Sequence, residues 1–367
     1  MKFKVAYLTT VPAPHQIKLV EELNKHCDAR FFFLDNVNRN RPSWWNIKLN
    51  KYCEVVETLV FRFKGKYFLK CIPDSLINYD PDVVMVGGFS NPASYQIYRW
   101  ARNNNKKTAV FTELSRDKNG ALREYGYIWR LLSHLYRNVD SIFACHPSAV
   151  HQFKIDLKFG KKVKLLRYAS DIDSHLKHPI RRPSKNLTLF FPNRLVEIYN
   201  PLGALIVFKI LKEKYPDIKL KINAQGNLKP QCDEFININN LTDSVTFLTE
   251  INSWDDLPNV YESCDILVFP AKFSNGNFTI NECMASGLGI VISNHVNGHG
   301  DFLKNNVNCF ISSDDPKEFA FSVEKYILEP ELLKVHGIKN KEAVRHLSIE
   351  SVAIEYANEF SKTIKKK

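Results

Sequence analysis

The sequence predicts an α/β protein made of two doubly wound, Rossmann-like units. Three observations carry this prediction. Short apolar runs, each followed by a small polar loop and then by apolar residues at helical spacing, recur along the chain, as at 3–8, 187–191 and 266–269. The chain has 367 residues, 44% of them hydrophobic and 12% aromatic, which suits two cores of ample size better than one. Between the two series of runs lies 177–186, Lys-His-Pro-Ile-Arg-Arg-Pro-Ser-Lys-Asn, polar, basic and proline-rich as a linker between domains is.

Residues 3–8 read as a buried strand, and 9–15, which includes Pro12 and His15, as the loop before a helix with Ile17, Leu19, Val20 and Leu23 on its apolar face. A second strand is expected at 30–34. The polar stretch 36–51 holds Trp44 and Trp45, adjacent rings that are costly to leave exposed. Residues 82–88 read as a strand ending in Gly87-Gly88, where the backbone is able to approach a ligand, and 108–111 as the strand after it. Glu113, Arg116 and Asp117 follow that strand. A helix is expected over 125–136, a strand at 141–144 leading into His146, and a last strand of this half at 162–166.

The alternation restarts after the linker. Residues 187–191 form its first strand, 192–201 a loop containing Arg194 and Tyr199, and a helix follows through Leu211. Strands are expected at 219–222 and 245–248, with a short helix at 257–264. The stretch 269–287, Phe-Pro-Ala-Lys-Phe-Ser-Asn-Gly-Asn-Phe-Thr-Ile-Asn-Glu-Cys-Met-Ala-Ser-Gly, then closes a βαβ unit: strand 266–269, loop 270–277, helix from Phe278, and a strand from Ile290. Such a loop sits at the carboxyl end of its strand, and the helix aims its unbonded amides at it. That makes a site for phosphate. A closing helix is expected from 345 to the end.

The stretch 269–287 resembles the signature of the retaining glycosyltransferases of family 4, in which two glutamates stand eight apart and the second leads into Ala-Met-Ala-Ser-Gly. Glu282 matches the second, followed by Cys283-Met-Ala-Ser-Gly287; Ser274 stands where the first is expected. The family's Arg-Leu-Val-x-x-Lys-Asn-Pro loop is similar to Arg194-Leu-Val-Glu-Ile-Tyr199-Asn-Pro201, and its Gly-Gly-x-x-Glu turn to 297–301, with His295 and His299 nearby. The resemblance is specific over about 187–312. It implies a GT-B fold, two Rossmann-like domains facing each other across a deep cleft: 1–180 on the acceptor side, 181–187 as linker, 188–345 for the nucleotide sugar, and 346–367 crossing back to the first domain.

By the same resemblance the protein moves a hexose with retention from a nucleoside-diphosphate sugar, GDP-mannose or a related GDP-sugar first and a UDP-hexose next, to a glycan or glycoconjugate. It would be a divergent member of bacterial surface-glycan or large-DNA-virus type. Glu282 would hold the ribose hydroxyls and Arg194 the diphosphate, with Lys272 replacing the lysine that Tyr199 displaces. Ser274, Asn275, Gly276, Asn277, Phe278, Thr279 and Pro12 would line the donor site, and Arg194, Glu113 and His15 are the candidate catalytic groups. A nucleotide-sugar-binding protein that has lost catalysis is the alternative, since both Ser274 and Tyr199 replace ligand residues.

Composition narrows the remaining classes. The net charge is +12, which suits anionic small molecules, an anionic membrane face or nucleic acid. The basic residues are spread along the chain with no aromatic-and-basic RNA motif, so nucleic acid is not expected. No strand is followed by Gly-x-Gly-x-x-Gly, against a nicotinamide dehydrogenase. The eight cysteines show no Cys-x-x-Cys pair, which argues against a zinc site or a disulfide framework. Asp171 and Asp173 mimic a metal-binding Asp-x-Asp, but no metal and no cofactor are expected. The N-terminal apolar run is too short for a signal peptide, and no run reaches a membrane span. The expectation is a cytoplasmic protein, monomer or homodimer, with peripheral membrane contact through its basic surface.

Overall fold

The computed structural model describes residues 2–36, 47–113, 127–180, 186–249, 251–274, 278–296 and 302–366. Trp44, Trp45, Arg116, Asp117, 181–185, Asn275, Gly276, Asn277 and His299 with the turn 297–301 lie outside them. The described residues fall into two compact units. One comprises the described residues up to 171 together with those from 347 on, and the other the described residues between 172 and 346. Residues 172–180, expected in the first domain, therefore pack within the second unit.

The first unit contains β1 (Lys4–Thr9), β2 (Asp28–Phe33), β3 (Cys53–Val55), β4 (Val60–Phe63), β5 (Lys66–Leu69), β6 (Val83–Gly87), β7 (Lys107–Thr112), β8 (Ser141–Ala144) and β9 (Val163–Leu165). Seven of these form a parallel sheet in the order β3-β2-β1-β6-β7-β8-β9, and β4 and β5 form a separate antiparallel hairpin. A parallel sheet needs cover on both faces, and alternate residues of β1 show how it is obtained. Val5 and Tyr7 face a cluster with Ile17, Val20 and Leu23 of the helix Pro14–His26 and with Val352, Tyr356 and Phe360 of the helix Ile349–Lys365. Ala6 and Leu8 face the opposite cluster, with Ile97 and Ala101 of the helix Pro92–Asn103. The chain terminus is thus part of the first unit's core.

The second unit contains β10 (Thr188–Phe191), β11 (Lys219–Asn223), β12 (Val245–Leu248), β13 (Ile266–Phe269), β14 (Gly289–Ser293) and β15 (Phe310–Ser312), parallel in the order β12-β11-β10-β13-β14-β15. Every residue of β13 and β14 is buried. Helices Pro14–His26, Pro92–Asn103, Pro201–Lys214 and Pro316–Leu328 begin at proline, whose fixed φ and missing N–H suit a first turn. Pro316–Leu328 and Glu331–Val344 occupy a stretch for which the sequence predicts no element, and the closing helix starts at Ile349, after a short turn Arg345–Leu347. Ser348 sets that start by accepting a bond from the Ser351 N–H.

Candidate functional site

In each sheet the strand order reverses once, between β1 and β6 in the first and between β10 and β13 in the second. Loops at such a reversal diverge to opposite faces and leave a crevice at the carboxyl ends of the strands. Part of the predicted donor set lies at the second unit's reversal, while Pro12 belongs to the first unit. Arg194 and Tyr199 lie on the loop after β10, Lys272 and Ser274 on the loop after β13, and the two strands pair directly, Leu189 with Ile266 and Phe190 with Leu267.

The two loops are tied together by backbone and by side chains. The Lys272 N–H donates to the Ile198 carbonyl at 2.9 Å, and Asn200 Nδ2 to the Pro270 carbonyl at 3.0 Å. The Tyr199 ring packs at a tilt against Phe269, centroids 5.8 Å apart. The Lys272 ammonium is paired with the Glu197 carboxylate, and both groups are largely exposed, so the pair is weak and exchangeable. The loop after β11 adds a third fastening. Leu195 donates its N–H to Gln225 O at 2.7 Å and accepts from Leu228 N at 2.9 Å, while Asn223 Nδ2 donates to Pro192 O at 2.7 Å. Arg194, between these ties, is exposed.

Ser274 is buried, and its N–H donates to the His295 carbonyl at 3.4 Å, bridging the loop to the segment after β14. The helix Phe278–Ala285 follows, with Phe278 and Thr279 in its first turn. Glu282 is half-buried and accepts a hydrogen bond from the Tyr261 hydroxyl. Tyr261 is buried, and Thr279 bonds the same hydroxyl. Burial first, and then the Glu282 carboxylate, hold the Tyr261 hydroxyl well above its usual pKa, so it stays a donor. Behind it the His175 ring packs edge-on, centroids 4.8 Å apart, and His175 Nδ1 meets Ser286 Oγ at 2.8 Å. Burial, then His178, lowers His175 from its usual value to about 3, so this support is neutral. Lys341 donates to the carbonyls of Leu176 and His178 and pins the segment.

In the first unit Pro12 is buried at the entry of the helix Pro14–His26, and His15 sits in its first turn. His15 and Tyr168 meet edge to face at 6.3 Å, and the Tyr168 hydroxyl donates to Glu113 at 2.7 Å. The structure thus brings Glu113, after β7, into one group with His15 through Tyr168. Burial and then Glu113 raise the Tyr168 pKa well above its usual value. Gly87 allows a close approach at this end of β6, for a Cβ there would stand 3.3 Å from Thr9 Oγ1. His146 caps the helix Pro147–His151, accepting from the Ala149 N–H through Nδ1 at 3.3 Å. Asp171 pairs with Lys18 at 2.5 Å and belongs to the first unit, whereas Asp173 belongs to the second. No group of three or more His, Cys, Asp or Glu able to hold a metal is present among the described residues.

Sequence reasoning missed Tyr261, His175 and the brace at Gln225 and Gly226, and took Ser286 only as part of the signature without its contact to His175. The partners are remote in the chain: Tyr261 stands 21 positions from Glu282, and His175 111 from Ser286.

Residues 173–343, which fall within the second unit, match the model of the family described as Glycosyl transferases group 1. An uncharacterized glycosyltransferase of Haemophilus influenzae is 28% identical over 153 residues, 41% of this chain and 42% of that protein. The uncharacterized glycosyltransferase YqgM of Bacillus subtilis is 25% identical over 187 residues, 50% of this chain and 51% of that protein. The chain thus spans about half the length, or less, of these curated relatives. Sucrose-phosphate synthase from Thermosynechococcus elongatus superposes with a TM-score of 0.72 at 14% identity, covering 98% of this chain and 99% of its own. Anabaena HepE in complex with UDP superposes with a TM-score of 0.70 at 12% identity, covering 99% and 100%. The fold is GT-B, with two Rossmann-like domains.

Proposed function

We propose that this protein is a metal-independent, retaining hexosyltransferase that moves a sugar from a nucleoside diphosphate to a glycan or glycoconjugate acceptor. The observation that carries it is the convergence of Arg194, Lys272, Glu282 and the first turn of the helix Phe278–Ala285 on one strand-order reversal. A departing diphosphate needs positive charge and oriented N–H groups where its negative charge develops. Arg194 supplies two parallel hydrogen bonds, the helix supplies amides, and Lys272 exchanges its weak partner Glu197 for the more highly charged ligand. Glu282, held by Tyr261, accepts from the ribose hydroxyls. In the reaction the bond from the anomeric carbon to the diphosphate breaks, the bond to the acceptor oxygen forms on the same face, and the acceptor proton passes to the departing phosphate oxygen. No protein nucleophile is required. Glu113 and His15, joined through Tyr168, are assigned to the reacting sugars.

The resemblance in sequence favours GDP-mannose or a related GDP-sugar as donor. The UDP complex of the HepE neighbour supports a UDP-hexose instead. A calorimetric panel of GDP-, UDP- and ADP-sugars decides between them. Glu282→Ala is expected to weaken the preferred nucleoside diphosphate by about 2 to 4 kcal/mol, the loss of two charge-assisted hydrogen bonds. Unchanged affinity removes Glu282 from the site. Ser274 and Tyr199, buried or packed where the related signature has charged residues, favour the second reading, a binding protein without catalysis. Tight binding with neither transfer nor donor hydrolysis would select it.

A further inference from the structure

The hairpin of β4 and β5 plays no part in the site described above, and its two faces differ. Opposite residues of the ladder share a face: Val60 with Leu69 and Arg62 with Tyr67 on one, Phe61 with Phe68 and Phe63 with Lys66 on the other. The first face is fastened to the body of the unit. Leu69 is buried, Val60 and Tyr67 pack against the core, and Arg62 pairs with Asp35 at 2.9 Å. The Tyr67 N–H donates to Asn91 at 3.0 Å, and Leu69 exchanges two hydrogen bonds of 2.9 Å with the Gln96 amide.

The second face is largely exposed, with the Lys64 ammonium 5.5 Å from the centroid of the Phe63 ring. Phe61 is 49% and Phe63 58% exposed, and Phe61 is stacked on Phe68 with centroids 4.9 Å apart. Large aromatic rings held open to water on a rigid support are costly unless something covers them. The turn between the strands is Lys64-Gly65, both at positive φ as a tight two-residue hairpin requires. Lys64 in the turn and Lys66 at the start of β5 stand at the rim of the rings, with Lys70 just beyond β5, all exposed and none ion-paired among the described residues. From 60 to 70 the chain has four basic residues and no acidic one.

We propose that this hairpin is a membrane-docking finger, with Phe61 and Phe63 entering the headgroup region of a bilayer and Lys64, Lys66 and Lys70 holding anionic lipid phosphates. Charge selects this occupant. A two-fold contact between copies through this face would set one basic rim against another, and a neutral glycan would leave the lysines uncompensated, whereas an anionic bilayer accepts ring and ammonium together. The finger gives named residues to the peripheral contact suggested by the net charge of +12. It is independent of the donor chemistry.

Co-sedimentation with vesicles of phosphatidylcholine alone, and of phosphatidylcholine with phosphatidylglycerol, tests it. The wild-type chain is expected to bind the mixed vesicles, less so as salt is raised, and to leave the neutral ones. Lys64→Gln with Lys66→Gln should weaken binding by about 30-fold, and Phe61→Ser with Phe63→Ser on the order of tenfold. Both variants should stay folded and keep the wild-type nucleoside diphosphate affinity, and the lysine variant, whose side chains are exposed, should keep the wild-type urea midpoint. Equal binding to both vesicle types, or variants that bind as wild type, overturns the proposal. So does a wild type that ignores vesicles but self-associates in sedimentation where the phenylalanine variant does not, which assigns the face to a second copy. Vesicle binding retained in a chain that binds no sugar nucleotide would support the finger while sinking the hexosyltransferase.

Discussion

Arg194 is the residue on which the proposed chemistry depends most. With Tyr199 packed on Phe269, where the related loop has a lysine, the loop after β10 offers one cation, and it is exposed between fastened neighbours. A guanidinium presents a planar pair of donors that an ammonium cannot reproduce. Arg194→Lys is therefore expected to lower turnover by roughly 100-fold or more although charge is kept, whereas Lys272→Ala should cost less than about tenfold, since Lys272 is held only by a weak exposed pair. Steady-state kinetics on the preferred donor check the ranking, and the reverse order would make Lys272 the principal cation. The loop that carries Arg194 and the helix that carries Glu282 were legible because each follows an apolar strand. The role of Tyr261, which bonds Glu282, was not, because a lone buried tyrosine in a short helix looks like core until its partner is known.

At the scale of elements, the position of Arg194 depends on the brace between the loops after β10 and β11. Gly226 adopts φ +145°, and a Cβ there would stand 2.2 Å from the Leu195 carbonyl oxygen, a backbone atom with no freedom to rotate away. Gly226→Ala is expected to cost about 2 kcal/mol or more of stability. It should also weaken nucleoside diphosphate binding, because Leu195 is the neighbour of Arg194. Urea unfolding together with calorimetry measures both, and a variant with wild-type values would show that the brace does not set the loop. The strands themselves were legible as apolar runs. The helices Pro316–Leu328 and Glu331–Val344 were not: Phe321, Leu328, Val335 and Ile338 are exposed, which blurs the apolar period that marks a helix.

For the whole molecule, two buried histidines couple stability to pH. Burial, then neighbouring charge, lowers His175 from 6.5 to about 3 and His336 to about 4. Because the folded values lie below the unfolded ones, their contribution is complete above about pH 6.5 and is lost as pH falls toward the folded values, when the unfolded chain takes up protons first. For His175 alone the loss by pH 5 is about 2 kcal/mol. Urea unfolding at pH 7 and pH 5 should show the fall, and His175→Gln should reduce it by about that amount. The same fall in the variant would mean that His175 is not the group that titrates. None of the eight cysteines is disulfide-bonded, and no described helix is long and apolar enough to cross a membrane.

By itself the sequence determined the fold class, two α/β units with parallel sheets, since apolar strands and helical periods are local patterns that any window of residues displays. It also located the loops that carry Arg194 and Lys272 and the helix that carries Glu282, because a loop after a buried strand is marked by its own small polar residues. Only the tertiary structure decided that these loops meet. That depends on β10 lying beside β13 and on the strand order reversing there, a pairing between segments some 75 residues apart that no local pattern encodes. It likewise decided that Tyr261, His175 and Ser286 support Glu282, that Lys272 is held by Glu197, and that the basic aromatic hairpin shows one face to the core and the other to solvent. Each of these is a contact of long sequence separation, set by packing once the sheets have formed.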